Sequence, residues 1–164
     1  MTTIIVDRIN GVIAADSQNT DCSDQIHRCN KIERLPNGNY FLGSGHNLTI
    51  SMAKAWAAAE FDPDEQPDWP EPIQSYAFSA VILKPDGSAW MCDDELAVFE
   101  LLDKVIGIGS GSVYALGAMD AGATAEEALM IACRRDLYTS EPVHLEKIVF
   151  PAKRAPRKRR DTLR

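Results

Sequence analysis

The chain predicts an α+β fold built in layers rather than a doubly wound parallel sheet. Three observations point there. Short β-rich segments are joined by tight hairpin turns, one helical stripe separates two groups of them, and two adjacent helices precede a final strand. No internal repeat is present.

The elements follow in order. Residues 2–9, TTIIVDRI, are β-branched and apolar. Asn10-Gly11 follows, a dipeptide whose positions tolerate the positive φ of a hairpin turn, and Val12–Ala15 returns as the partner strand. A polar stretch over 17–30 reads as a structured loop. Lys31–Leu35 reads as a strand, Asn37-Gly38 as a turn, and Tyr40–Leu42 as its return, so the first 43 residues form two successive hairpins. Residues 47–60 carry a helical stripe of Leu48, Met52, Ala55, Trp56 and Ala59. Residues 61–75 hold four prolines and five acids, which excludes helix and leaves an extended loop. Tyr76–Leu83 and Ser88–Cys92 flank an Asp86-Gly87 turn as another hairpin. The stretch from Leu96 to Val105 fits a strand by length, and Val105–Ile108 is a short apolar strand ending in GSGS. A helix over 112–121 comes next. Thr124 and Glu127 then form a capping box, T-x-x-E, that starts a helix with Ala125, Ala128, Leu129, Ala132, Cys133 and Leu137 on one face. His144–Phe150 closes as a strand.

Composition narrows the function. The chain has 164 residues, is 45% hydrophobic and 25% charged, and contains no apolar run long enough to span a bilayer. The start, MTTIIVDRING, lacks the apolar region of a secretory signal. Four scattered cysteines without a C-x-x-C pair then predict reduced thiols and a cytoplasmic setting. The net charge of −7 is uneven. Residues 151–164 hold seven bases and one acid, a net of +6, against ten bases and 23 acids in residues 1–150, a net of −13. The chain therefore divides into a domain over 1–150 and a basic, disordered tail over 151–164. Nucleic acid is not an expected partner of so acidic a body, and the tail reads first as a solvated extension, then as a dock for an acidic neighbour, and last as an arm that contacts nucleic-acid phosphates.

Several residues carry chemistry. Removal of Met1 before a small residue leaves Thr2 with a hydroxyl and a free α-amine, whose pKa of about 7.7–8.0 suits a general base. Asp16 follows the strand that pairs back to the N-terminus. Lys31 opens the next predicted strand, where a cation would ease deprotonation of the hydroxyl and an acid would hold the cation. Gly43-Ser44-Gly45, between strand and helix, can offer backbone N–H groups to an oxyanion. Gly109-Ser110-Gly111-Ser112 occupies a second strand-to-helix turn but lacks the lysine of a phosphate loop. Cys22, His27 and Cys29 match no common zinc spacing. Trp56, Trp69 and Trp90 read as packing residues, with Trp69 an exposed contact in the acidic loop.

Taken together, TTIIVDRINGVIAADSQNTD, KIERL, LGSGH and IGIGSGSVYALGAMDAGATAEEALMIACRRDLYTS resemble the proteasome β-type subunits and their bacterial relative HslV, N-terminal-nucleophile hydrolases, over about residues 2–150. The resemblance implies a four-layer αββα sandwich of antiparallel sheets. It implies a threonine peptidase with Thr2 as nucleophile, its amine as base, Asp16 and Lys31 in support, Gly45 N–H at the oxyanion and Ser110 beside the amine. Self-association into six- or seven-membered stacked rings follows, with unfolded polypeptides as substrates and an ATP-dependent unfoldase as partner. No cofactor is required. A structural monovalent or divalent cation held by main-chain carbonyls of Cys133, Asp136 and Thr139 is implied by the likeness of DLYTS to HslV. The chain also departs from the pattern. His46 stands where a small pocket residue is usual, no acid occurs at Asn47, Leu48 or Thr49, and the proline-rich acidic loop replaces a second long helix. The late aspartate–serine pair of eukaryotic-type subunits is not evident. A catalytically weak ring scaffold or binding protein on the same fold is the alternative, and a small-amide hydrolase is a third possibility.

Overall fold

Alternation along two strand pairs builds the molecule. The computed structural model describes residues 2–21 and 23–150; Met1, Cys22 and the tail 151–164 lie outside the described residues. Strands β1 (Ile4–Asp7), β2 (Val12–Ala15), β10 (Val105–Ile108) and β11 (His144–Lys147) form one antiparallel sheet in the order β10-β1-β2-β11. Strands β5 (Glu33–Arg34), β6 (Tyr40–Gly45), β7 (Phe78–Leu83), β8 (Ala89–Asp93) and β9 (Val98–Leu101) form a second, an antiparallel meander in chain order. A two-stranded ribbon, β3 (Gln18–Thr20) with β4 (Ile26–Arg28), stands apart from both.

Successive strand residues face opposite ways, and each sheet uses both faces. Ile4, Val6, Ile13 and Ala15 of the first sheet meet Leu42, Val81, Leu83 and Ala89 of the second in a core between the sheets. Ile5 and Ala14 point the other way, onto Ala115 of α2 (Ser112–Asp120) and Ala125, Ala128, Leu129 and Ala132 of α3 (Ala125–Arg135). Phe41, Ala80 and Ile82 face outward from the second sheet onto Ala53, Trp56 and Ala57 of α1 (Asn47–Ala58). The order is helix, sheet, sheet, helix, the four-layer αββα sandwich expected of the chain.

The turn chemistry falls where the sequence places it. Gly11 has φ 64°, and a Cβ there would meet Ile148 O at 2.3 Å, so only glycine lets the last strand pass the first turn. Thr124 caps α3 with the reciprocal bonds of a capping box.

Several expectations change. The last strand ends at Lys147 rather than Phe150, and Leu137, expected on the apolar face of α3, lies beyond that helix and is exposed. The polar stretch over 17–30 contains the β3–β4 ribbon, invisible to hydropathy because β4 is fully exposed. The strand expected over 31–35 shortens to Glu33–Arg34, because the Asn30 side chain accepts Ile32 N–H and takes the chain out of the ladder. Trp69 is not an exposed contact. It stacks on Phe78 with ring centres 5.4 Å apart and meets Trp56 edge-on, so the acidic loop is pinned to the outer core. The loop itself holds two single 3-10 turns, Pro63–Glu65 and Ile73–Tyr76.

Candidate active site

The buried end of the first sheet gathers the polar residues of the chain. Thr2 and Thr3 lead into β1, and Asp16 follows β2, so the first hairpin sets them side by side. Thr3 N–H donates to Asp16 Oδ1 at 2.8 Å, and Asp16 N–H donates back to Thr3 O at 3.1 Å. Asp16 has no solvent exposure and also accepts Gln18 N–H at 2.8 Å and Ser140 N–H at 3.4 Å through Oδ2. A buried carboxylate that accepts several bonds is rigidly aimed.

Lys31 completes the group. Its Nζ donates to Asp16 Oδ1 at 2.8 Å and to Thr2 Oγ1 at 2.8 Å, and its side chain is only 7% exposed. Burial pulls the Lys31 ammonium below its ordinary value, and the adjacent Asp16 carboxylate partly opposes that fall. The cation is thus placed on the threonine oxygen by an anion that has no other freedom. Thr2 itself is 5% exposed.

Glycines fix the approach of the remaining walls. Gly45 ends β6 with φ 127°, and a Cβ there would meet Ala77 O at 2.3 Å. Gly109 has φ 89°, and a Cβ there would meet Thr2 O at 1.9 Å, so the turn before α2 lies directly on the Thr2 backbone. A cleft of about 110 Å³ opens beside Thr2, with Lys31, Cys29, Gly43 and Gly45 among its walls. A larger cleft of about 640 Å³, near the β1–β2 and β7–β8 turns, shares none of these residues.

Behind the glycines lies a hydroxyl network that the sequence does not announce. Ser110 Oγ donates to Asp136 Oδ2 at 2.7 Å. Thr139 Oγ1 donates to the same oxygen, and Thr139 and Thr3 share a hydroxyl–hydroxyl bond of 2.6 Å. Gly111 is required beside it, since a Cβ there would meet Thr3 Oγ1 at 2.1 Å. A late aspartate–hydroxyl pair is therefore present after all, as Asp136 and Thr139. The D-x-x-T spacing was its only trace, with threonine where serine was sought. Thr3, the remaining member of the network, carries no signal of this role in the sequence.

The structure brings together Thr2, Asp16, Lys31 and Gly45, and it holds Ser110 on the turn that touches Thr2. His46 does not line the cleft. Its Nδ1 accepts Leu48 N–H at 3.3 Å as the N-cap of α1, and its ring meets Tyr76 edge-on. Among the described residues no group of three His, Cys, Asp or Glu side chains is arranged to hold a metal. The Asp136 carboxylate is committed to Ser110 and Thr139, and Asp136 O accepts Thr139 N–H at 3.4 Å. His27 pairs instead with Asp21 at 3.0 Å, in the exposed ribbon.

No protein-family model matches the sequence, and no curated protein matches it. Solved structures do. HslV from Trypanosoma brucei superposes with a TM-score of 0.67 at 20% identity, covering 90% of this chain and 99% of that one. BPH from Thiobacillus denitrificans, in a complex with epoxomicin, gives 0.61 at 19% identity over 90% and 100%. A second structure of BPH gives 0.60 at 20% identity over 91% and 99%. The layers and topology define an N-terminal-nucleophile hydrolase fold. The chain shares that fold with HslV and BPH over nearly the full length of those neighbours.

Proposed function

We propose that the chain is a threonine peptidase that cleaves unfolded polypeptides within a self-assembled double ring in the cytoplasm. The observation that carries this reading is Lys31 Nζ, held by buried Asp16 and 2.8 Å from Thr2 Oγ1. A surface threonine has no use for a buried ammonium on its hydroxyl. A nucleophile does, because the cation favours the alkoxide-like state.

The mechanism follows from the groups present. After loss of Met1 the Thr2 amine accepts the Oγ1 proton as the oxygen attacks a substrate carbonyl. Lys31 steadies the charge developing on Oγ1. The carbonyl oxygen becomes an oxyanion facing Gly45 N–H. Collapse passes the proton from the Thr2 ammonium to the leaving amine and leaves an ester on Oγ1. Water, deprotonated by the same amine, attacks the ester and restores Thr2. The Ser110–Asp136–Thr139–Thr3 network orients the turn beside the amine and needs no cofactor. The proposed partners are further copies of this chain and an ATP-dependent unfoldase.

The test is intact-mass spectrometry of protein lacking Met1, before and after a β-lactone. One adduct per subunit is expected, mapped to Thr2 and abolished in Thr2→Ala. Mapping matters because Cys29 lines the same cleft. Burial pushes the Cys92 thiol up to about 12 and the Cys133 thiol up to about 11, so neither competes at neutral pH. A chain lacking Met1 that stays unlabelled at Thr2 would sink the peptidase reading in favour of a scaffold.

A further inference from the structure

We infer that the cleft beside Thr2 selects a carboxamide side chain, glutamine or asparagine, on the acyl side of the bond cut. This rests on the peptidase reading, because the cleft is defined by its place next to Thr2 Oγ1. The side chain of the residue whose carbonyl is attacked must enter the space flanking the nucleophile.

That space is small, about 110 Å³ against the roughly 300–1,000 Å³ of an ordinary ligand pocket. Ile50, its one large apolar side chain, fills the space over Gly43, where a Cβ would lie 2.7 Å from Ile50 Cγ2. Four neutral amides, Gln18, Asn19, Asn30 and Asn47, make up much of the remaining wall.

The charged groups of the wall already have partners. Lys31 Nζ donates to Thr2 and Asp16, and Glu33 Oε2 accepts from Lys54 at 2.8 Å. The capacity left open lies on the amides, and it is of both kinds. Gln18 Nε2 donates to Thr20 Oγ1 at 3.3 Å and to Leu137 O at 3.4 Å, which leaves Oε1 as an acceptor. Gln18 is only 3% exposed, so its amide is held in place. Asn30 Oδ1 accepts Ile32 N–H at 3.0 Å, which leaves Nδ2 as a donor. Asn19 and Asn47 bond to each other at 3.5 Å, and whichever donates, the pair keeps an amide oxygen and amide N–H groups open.

A carboxamide answers such a wall, because it carries two N–H donors and an acceptor oxygen on one planar group. An apolar side chain would strip water from donors and acceptors alike without replacing it. A guanidinium or ammonium cannot accept from Asn30 and would approach the Lys31 ammonium. A carboxylate cannot donate to Gln18 Oε1 and would approach Glu33. A serine hydroxyl has a single donor on a shorter arm and meets fewer of the open groups.

The experiment uses the full chain lacking Met1 and tetrapeptide aminocoumarin amides that differ only in the last residue. Glutamine or asparagine is expected to give kcat/KM at least tenfold above leucine, arginine, glutamate and serine. Asn30→Asp keeps the acceptor for Ile32 N–H and removes the donor, so it should shrink the glutamine-to-arginine ratio severalfold. An unchanged ratio in that variant overturns the assignment of the donor to Asn30. β-Lactone labelling of Thr2, run in parallel on each protein, reports whether the nucleophile is live. Labelled protein that prefers leucine, arginine, glutamate or serine, or that cleaves none of the series, overturns the amide specificity and leaves the peptidase reading standing. Protein that neither labels nor cleaves overturns both.

Discussion

Lys31 is a cation that the fold makes uncomfortable and then puts to use. Its ammonium is depressed by burial, so its proton is lost at a pH below the ordinary 10.5. Under the proposed mechanism this predicts a bell-shaped dependence of kcat/KM on pH. The acid limb comes from protonation of the Thr2 amine that serves as base. The alkaline limb comes from loss of the Lys31 proton, and lies below 10.5. A profile that stays flat up to pH 10.5 would remove Lys31 from the role given to it. Lys31→Ala should lower kcat/KM by roughly 10²–10⁴-fold. Asp16→Ala should do more harm to folding. It leaves a buried ammonium without its anion, and urea unfolding should show a loss of about 3–5 kcal/mol.

Among the elements, those whose signals are local were legible in the sequence. The hairpin turn at Asn10-Gly11, the helical stripe of α1 and the capping box of α3 each depend on residues a few positions apart. Thr124→Ala, which removes the cap from α3, should cost about 1 kcal/mol in a thermal melt. The β3–β4 ribbon left no trace because it buries no apolar face, and periodicity reports burial. The Asp136–Thr139–Thr3 network left only the D-x-x-T spacing, because its members come from opposite ends of the chain and meet only when α3 packs on β1 and β2. Lys31 and Asp16 were legible as candidates, whereas their contact needed the sheet. Gly111 joins the two scales. A methyl there would strike Thr3 Oγ1, so Gly111→Ala should cut activity at least tenfold while far-ultraviolet circular dichroism stays native.

At the scale of the whole molecule, several apolar side chains stand exposed on the segments that flank the site. Val113 and Tyr114 at the start of α2, and Leu137 and Tyr138 after α3, are exposed apolar side chains. Gly111 and Thr139 lie side by side at the base of these two segments, where a Cβ on Gly111 would come within 2.8 Å of Thr139 Oγ1. Exposed apolar residues grouped in this way mark a contact with another surface. If the proposed ring uses this surface, Val113→Asp with Leu137→Asp should shift native mass spectra from assembly to monomer, and lower the proposed activity with it. The strand order carries one more consequence. The first hairpin, made of residues 4–15, sits in the middle of its sheet, and both of its neighbours come from far along the chain. Asp16 receives one of its bonds from Ser140. A ribosome has therefore delivered nearly the entire domain before the earliest residues can find their partners, since such distant pairings form only once both segments exist. A half-made chain has therefore not yet assembled the Thr2 site, so the peptidase activity proposed for it would arise only when synthesis of the domain is nearly complete, by the order in which the strands are laid down.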